Sequence, residues 1–345
     1  MTTPSFQSRR ALAWVLAHPD GGRESRRQAG AWLAGEASDP GRTAAAEAAV
    51  PLADRVLLQL DRLGWRWCDA SEPGFPPGLV ALADPPLGLF VRGTLPAGPA
   101  VALVGARKAS AYGREVAECF GRELARAGVT VVSGMARGVD AAAHRGAIAS
   151  SGPTAAVWGS GPDRLYPPEH DQLAAQIVAH GALLTEYPPG SPPLAHHFPE
   201  RNRLIAGLAQ AIVVVEADVR SGALITARLA LEEGRDVLAV PGSVFAPLSA
   251  GPNGLLRSGA APALTVADIL EVIGVVPPPA TPEPPADGLL AALKPGTSAT
   301  VDDLASATGM PVAAVLESLV QLELEGRVVR EPDGSFRRGH RSATG

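Results

Sequence analysis

Two glycine-rich turns that carry positive charge are the first candidates for chemistry in this sequence. Residues 105–110 read Gly-Ala-Arg-Lys-Ala-Ser, and residues 133–140 read Ser-Gly-Met-Ala-Arg-Gly-Val-Asp. Glycine permits a tight turn and close backbone approach, while the free N–H groups and dipole of a helix start attract anions. A helical pattern follows each turn, so both are predicted anion sites. The alternative is that each is an ordinary strand-to-helix turn.

These turns do not follow the dinucleotide-binding pattern. Neither matches Gly-x-Gly-x-x-Gly, and residues 130–133, roughly 20 positions after the first turn, carry no acid that could hold a ribose. NAD is therefore poorly supported, and no cofactor is predicted.

A third candidate combines an aromatic side chain with arginines. Phe198 precedes Arg201 and Arg203 on a predicted loop that leads into a helix. An aromatic ring can stack on an unpaired base while arginines contact phosphates, which are the two components of single-strand binding. The alternative is that Phe198 is a buried anchor of the loop, and the spacing alone does not decide between them.

Asp140 and His144 are four residues apart on a predicted helix, which makes a catalytic or metal-binding pair conceivable. We favour a structural role, with Asp140 stabilising the helix terminus and His144 as its local partner, because caps and dipole pairs are commoner than active sites. The adjacent His196 and His197 point to opposite faces of an extended segment. No metal site is therefore predicted.

The elements that position these residues are short apolar strands alternating with helices. The predicted strands are residues 101–104, 129–132, 155–158, 183–185, 212–215 and 237–240. The predicted helices are residues 113–127, 138–150, 168–180, 201–210 and 221–234. Strands that are apolar throughout are covered on both faces, so the pattern predicts an α/β fold with a doubly wound, Rossmann-like parallel sheet. Ligands bind such sheets beyond the carboxyl ends of the strands.

Proline-rich segments divide the chain. Residues 276–285 are predicted to form a stiff linker, and a weaker break near residue 73 sets off a small helical domain over 1–72 from the sheet domain over 73–275. Beyond the linker, residues 286–340 combine three helical stretches with an Asp333-Gly334 hairpin turn. That combination predicts a winged helix.

Composition excludes several classes of protein. The chain has 345 residues, 46% hydrophobic and 19% charged, with only two cysteines and a formal net charge of −5. A disordered chain, a disulfide scaffold and indiscriminate nucleic-acid binding by the whole surface are therefore disfavoured. No apolar run approaches the roughly 18 residues of a membrane span, and we expect a cytoplasmic protein without a membrane partner.

Taken together and in order, the strand-end motifs resemble the DNA-processing protein A family, called DprA or Smf. The matching segments are residues 101–107, 133–140 with His144, 166–169, 198–208, 215–217, 226–227, 234–237 and 240–242. Each segment is weak alone, but jointly they are very specific. The sequence departs from the commoner family pattern at Ala106, where serine is usual, and at Met135.

The resemblance implies an extended Rossmann-like domain that binds single-stranded DNA without known catalysis. It also implies a homodimer formed through that domain, protection of incoming DNA in natural transformation, and transfer of the strand to the recombinase RecA. A SAM-like N-terminal domain and a winged-helix C-terminal domain are common in the family. Carried over position by position, the expected DNA contacts are Gly105, Arg107, Lys108, Ser110, Gly134, Arg137, Gly138, Phe198, Arg201, Asn202, Arg203, Ser221 and Gly222.

The main alternative is an enzyme. Phosphoribohydrolases that process nucleotides share a similar sheet and carry Pro-Gly-Gly-x-Gly-Thr-x-x-Glu at the turn that here holds residues 220–227. No glutamate stands at the general acid–base position, and Glu232 and Glu233 lie two turns further along the helix. Ser221 is predicted as a helix N-cap, and without a Gly-x-Ser-x-Gly elbow it is not predicted as a nucleophile.

The predicted recognition helix of the winged helix, residues 312–325, contains three glutamates and no lysine or arginine. Such a helix repels phosphate, so we expect it to contact a protein partner or to pack rather than enter a DNA groove.

Overall fold

The computed structural model describes residues 5–19, 22–95, 97–276, 288–294 and 296–339. The chain divides into two compact units, Met1–Val276 and Pro277–Gly345. Most of the predicted linker, from residue 277 onward, lies outside the described residues.

A nine-stranded sheet forms the centre of the first unit. Its strands are β1 Trp65–Asp69, β2 Gly88–Gly93, β3 Ala100–Val104, β4 Thr130–Ser133, β5 Thr154–Trp158, β6 Gly181–Thr185, β7 Ala211–Val214, β8 Asp236–Ala239 and β9 Ala261–Pro262. They lie in the order β1-β2-β6-β5-β4-β3-β7-β8-β9. The first two neighbouring pairs in this order, β1–β2 and β2–β6, are antiparallel, and every later pair, from β6–β5 to β8–β9, is parallel. The six predicted apolar runs correspond to β3 through β8, and the predicted parallel, doubly wound sheet is confirmed.

Helices cover both faces of this sheet. They are α1 Phe6–Ala17, α2 Arg23–Leu33, α3 Pro40–Arg62, α4 Pro77–Val80, α5 Ala111–Arg126, α6 Val139–Ala149, α7 Asp171–His180, α8 His197–Leu208, α9 Gly222–Glu232, α10 Ala250–Arg257 and α11 Val266–Val272. Successive residues of a strand point to opposite faces. In β3, Val101 and Leu103 therefore pack in the core with α5, α6 and α11, while Ala102 and Val104 pack in the core with α8 and α9.

The N-terminal segment contributes a strand to the sheet, which corrects the predicted helical domain over 1–72. Trp67 in β1 pairs in register with Phe90 in β2, and their rings lie 4.9 Å apart. Trp65 lies 5.5 Å from Trp158 of β5 and shares a buried core with residues of α1, α3 and α7. These rings are buried between the sheet and the helices, and residues 65–69 form the edge strand of the sheet. A SAM-like arrangement of the first three helices stays a prediction.

Within its described residues, the second unit contains three helices and a small sheet. Its elements are α12 Gly288–Ala292, β10 Ser298–Ala299, α13 Val301–Thr308, α14 Val312–Leu324, β11 Val328–Arg330 and β12 Phe336–Arg338. The strands β11 and β12 form the predicted hairpin, in which Gly334 adopts φ +85° and donates its N–H to Glu331 O over 3.0 Å. The predicted winged-helix architecture is confirmed.

Among the described residues, no single helix combines the length and apolar composition needed to cross a membrane. Only α13 and α14 taken together meet that test, and the chain bends by 110° between them.

Candidate nucleic-acid interface

Segments from several elements converge at the carboxyl edge of the sheet. Arg107 and Lys108 follow β3, and both are exposed. Phe198 is half-buried in the first turn of α8, so it is neither on a loop nor a fully buried anchor. The Arg107 guanidinium carbon lies 5.0 Å from the centre of the Phe198 ring, within cation–π range. The Tyr166 ring lies 5.4 Å from the same ring. The structure thus brings together an accessible aromatic ring and two cations.

Arg201 lies beneath this surface. Its side chain is buried, and its guanidinium donates to Gly134 O over 3.1 Å and to Val157 O. Burial lowers the pKa of Arg201 to about 10, although the charge of Asp140 opposes that shift. A Cβ on residue 134 would come within 2.7 Å of the guanidinium, so the glycine is required for this close approach. We expected Arg201 to contact phosphate, and the structure instead gives it a positioning role beneath the turn.

The second glycine-rich turn is closed by the protein's own carboxylate. Asp140 Oδ2 accepts hydrogen bonds from Gly134 N at 3.1 Å and Ala136 N at 3.3 Å. Burial raises the pKa of Asp140, while the charge of Arg201 and these N–H donors oppose the rise. Asp140 lies in the first turn of α6, where an acid favours the helix dipole, but its hydrogen bonds brace the preceding turn and occupy N–H groups that we expected to bind a phosphate.

His144 has a different partner from the one we predicted. Its Nδ1 lies 2.7 Å from Thr154 Oγ1, and that hydroxyl donates to Val131 O over 2.8 Å. The hydroxyl proton is committed to the carbonyl, so Nδ1 carries the proton that His144 donates to Thr154. Burial lowers the pKa of His144 to about 3. His144 is a neutral core residue that braces α6 against β5.

The first glycine-rich turn is closed in the same way, by Glu216. This buried acid follows β7, and its Oε2 accepts the Ser110 backbone N–H over 2.9 Å, while its Oε1 accepts the Ser110 hydroxyl. A Cβ on residue 113 would come within 2.2 Å of the carboxylate, which explains the glycine there. Ser110 is exposed, but Glu216 engages both of its donors, so its expected DNA contact stays a prediction. Sequence reasoning missed the role of Glu216, although its place directly after a strand was a usable signal.

Arg203 belongs to a buried ion-pair network on α8. Its Nη2 pairs with Glu186 Oε2, and its Nε lies 3.5 Å from Asp84 Oδ2. Arg26 of α2 bonds the same Asp84 carboxylate, with its Nε 2.8 Å from Oδ1. Only 9% of the Arg203 side chain is exposed. The expected phosphate contact of Arg203 is therefore corrected, because this network holds its guanidinium against α2.

Arg137 is exposed on the second turn, as predicted, and it is paired with an acid. Its Nε bonds Glu169 Oε1, and about half of each side chain is exposed. The hydrogen bond from Arg137 lowers the pKa of Glu169. The neighbouring Gly138 adopts φ +78°, and a Cβ there would meet Ala106 O at 2.2 Å. That contact, like the approach of Gly105 to Val139, packs the two turns together.

The start of α9 is the most open of the three helix starts. Ser221 is the N-cap and accepts from Ala223 N over 3.3 Å. Gly222 is exposed, and a Cβ there would have no neighbour within 4 Å. The nearly buried Asn202 reaches this turn through Nδ2, which donates to Gly222 O over 3.4 Å. At the other end of α9, the Glu233 carboxylate accepts from Ala83 N, far from the position of a general acid–base group.

The fold and the site together define a class of protein. It is a doubly wound α/β protein whose carboxyl sheet edge presents cations around an aromatic ring, followed by a winged helix. The chain belongs to the DNA recombination-mediator protein A family, whose model matches residues 67–274. The model of the DprA winged helix domain matches residues 276–334.

Curated relatives and solved structures agree with this membership. Protein Smf of Escherichia coli is 41% identical over 81% of this chain and 79% of its own length. The DNA processing protein DprA of Bacillus subtilis is 40% identical over 64% of this chain and 75% of its own length. DNA processing protein A from Streptococcus pneumoniae superposes with a TM-score of 0.62 at 33% identity, over 76% of this chain and 92% of that one. DNA processing protein A from Helicobacter pylori, whose structure concerns a single-stranded DNA binding mode, superposes with a TM-score of 0.54 at 28% identity. The superposition covers 61% of this chain and 95% of that one.

Proposed function

We propose that this protein binds single-stranded DNA along the carboxyl edge of its sheet. The observation that carries the proposal is the partly exposed Phe198 ring beside the guanidinium of Arg107. Bases can stack on an aromatic ring or on the plane of an arginine, while neighbouring cations hold the phosphates. Lys108 and Arg137 supply exposed positive charge on the adjoining turns, and the open start of α9 supplies N–H groups.

The closed helix starts define how the strand is held in this proposal. Glu216 occupies one backbone donor of the first turn, and Asp140 occupies two of the second. In this proposal, phosphates are contacted mainly by exposed side chains rather than by a backbone cradle. The buried Arg201 and Arg203 support the surface from within, Ser110 caps α5 at the surface, and Gly105, Gly134 and Gly138 let the turns pack closely.

The proposal extends to the role of the bound strand. The protein protects the strand, forms a homodimer through its Rossmann-like domain and loads RecA onto the DNA in natural transformation or recombination. Family membership supports these steps. The single-stranded DNA binding mode of the related Helicobacter pylori protein supports single strands as the ligand. The proposal contains no catalytic step.

Competition between single and double strands of equal length and sequence tests the DNA preference. We expect the labelled single strand to bind more tightly, because a paired base cannot stack on Phe198. Equal affinity for the two forms would overturn the proposal.

Salt dependence tests whether Arg107 contacts a phosphate. Each phosphate contact adds about 0.7 to the negative slope of log affinity against log salt for single strands. Arg107→Ala should flatten the slope by about that amount. Arg55→Ala, which removes an exposed arginine on α3, is the matched control and should leave the slope unchanged.

A further inference from the structure

Two large apolar side chains project from a turn after β8, on the same sheet edge as Phe198. Phe245 is 94% exposed and Val244 is 83% exposed. Isolated apolar side chains on a surface are ordinary, but two adjacent ones at the tip of a turn form a contact surface that the fold does not use.

Hydrogen bonds hold the turn that carries Val244 and Phe245. Ala246 N donates to Ser243 O over 3.0 Å, and Phe245 N donates to Ser243 Oγ over 3.3 Å. At its base, the Asn253 side chain bonds both Gly242 N and Gly242 O, at 3.2 and 3.0 Å. The projecting ring is therefore held by an ordered support.

Contacts connect this turn to the candidate interface. Tyr112 lies in the first turn of α5, four residues after Lys108, and its hydroxyl donates to Pro241 O over 3.2 Å. The strands β3 and β8 are separated by β7 alone. Strand spacing places the loops that follow β3 and β8 about 10 Å apart.

The surface between the Phe198 and Phe245 rings carries exposed cations and exposed apolar side chains. Lys108 follows β3, and Arg220 follows β7; both are exposed. Val219 is 65% exposed and Tyr112 is 50% exposed. Asp218 contributes one acid, whose Oδ1 accepts from Val219 N. A path with exposed cations and rings fits a chain of phosphates and unpaired bases.

We propose that Phe245 is a second stacking platform, which binds an unpaired base of the strand that leaves the Phe198 site toward β8. This inference rests on the proposed function, because it extends the same strand across the sheet edge. The ligand is single-stranded DNA long enough to reach from one ring to the other, with Lys108 and Arg220 contacting phosphates between them.

Strand length separates the two rings in a binding experiment. The probes are fluorescently labelled oligothymidylates of about 20 and about 2 nucleotides, because a stacked strand advances about 3.4 Å per nucleotide and the shorter one cannot cover the roughly 10 Å between the two loops. Phe245→Ala should weaken binding of the long strand by about 5- to 150-fold, the equivalent of one lost stacked base, and leave the short strand nearly unchanged. Leu58→Ala, which removes an exposed apolar side chain on α3, should change neither.

Two further substitutions test stacking itself. Phe245→Tyr keeps an aromatic ring and should retain the affinity for the long strand, whereas Phe245→Leu keeps an apolar side chain and should lose it. Equal binding by the tyrosine and leucine variants would overturn base stacking at this position.

Phe198→Ala separates failure of this inference from failure of the proposed function. If Phe198→Ala weakens both strands while Phe245→Ala weakens neither, the first site stands and the second platform is overturned. If Phe198→Ala has no effect on either strand, the proposed function itself fails. A Phe245→Ala variant that changes the mass measured by sedimentation but not DNA affinity would make this turn a protein contact, which also overturns the proposal.

Discussion

The carboxyl edge of the sheet and the helix α14 place their charges in opposite ways. At the sheet edge, the acids Asp140 and Glu216 are buried and the cations Arg107 and Lys108 are exposed. On α14, by contrast, acids and apolar side chains are exposed. The exposed acids are Glu317 and Glu323, with Glu325 at the C-cap, and the exposed apolar residues are Val312, Leu316, Val320 and Leu324. An acidic surface repels phosphate, so the winged helix lacks the electrostatics of a groove-reading helix.

The comparison shows that a fold name does not locate a nucleic-acid site. Winged helices and related motifs bind DNA through a helix in the major groove, whereas the doubly wound sheet is best known for nucleotides. In this chain the exposed positive charge and the accessible ring occur together on the sheet. The side chains at the surface, rather than the architecture, favour the sheet edge as the DNA-binding region.

Loss of the aromatic ring should give the largest effect on DNA binding. Phe198→Ala removes the surface on which a base stacks and should weaken single-strand binding by about 1–3 kcal/mol. Leu316→Ala, which removes an exposed side chain from α14, is the matched control and should have no effect. Fluorescence anisotropy with a labelled strand measures both. A larger loss in the α14 variant would reverse the comparison between the two regions.

The stability of the two units should also respond differently to acid. The folded-state pKa of His144 is lowered to about 3, below its ordinary value near 6.5. As the pH falls, His144 therefore binds a proton in the unfolded chain before it does so in the folded chain. The contribution of neutral His144 to the free energy of unfolding is fully present above about pH 6.5 and is lost as the pH falls toward 3. Relative to His144→Gln, the sheet unit should lose up to about 1.4 kcal/mol per pH unit in that range.

The positions of the tryptophans allow this measurement on the intact chain. All five tryptophans lie at or before residue 158, within the sheet unit, and the second unit has one histidine, His340. Denaturant unfolding followed by tryptophan fluorescence at pH 7, 6 and 5 therefore reports on the sheet unit. Parallel pH slopes for the natural chain and the His144→Gln variant would contradict a neutral, buried His144.

The sequence predicted the parallel strands well and the sheet edges poorly. Strands β3 to β8 are covered on both faces, so each appears as a short apolar run. The antiparallel strands β1 and β2 gave no comparable signal, because the pairing of residues 65–69 with residues 88–93 is set by distant contacts. The N-terminal segment was therefore predicted as a separate helical domain.

At the candidate site, the sequence identified the segments but not the state of each side chain. An arginine after an aromatic residue gives no sign that carboxylates from elsewhere will bury it. Arg203 is held by Asp84 and Glu186, which precede it by more than 15 positions. In the same way, a glycine-rich turn before a helix predicts an anion site but not that Glu216 fills it. These features depend on partners that only the folded chain brings together.

Neutralising an acid at the sheet edge should strengthen binding modestly. Glu169→Gln removes the carboxylate that pairs with Arg137 and also removes its repulsion of phosphate. We expect single-strand affinity to rise by less than about fivefold, the size of an exposed charge interaction. Glu317→Gln on α14 is the matched control and should leave affinity unchanged. Competition binding at low salt measures both, and an equal gain in the two variants would indicate a general effect of net charge.

Removal of the winged helix should have the smallest effect on single-strand binding. The unit Met1–Val276 is compact by itself and contains every residue of the candidate interface. A chain ending at Val276 should therefore fold and retain most of its affinity, with a modest loss from the arginines of the C-terminal hairpin that is smaller than the change expected for Glu169→Gln. Circular dichroism and anisotropy titration with one labelled strand check folding and binding separately. If the shortened chain folds but no longer binds the strand, the primary site includes the winged helix, and the contrast between the two regions drawn from their surface charge does not hold.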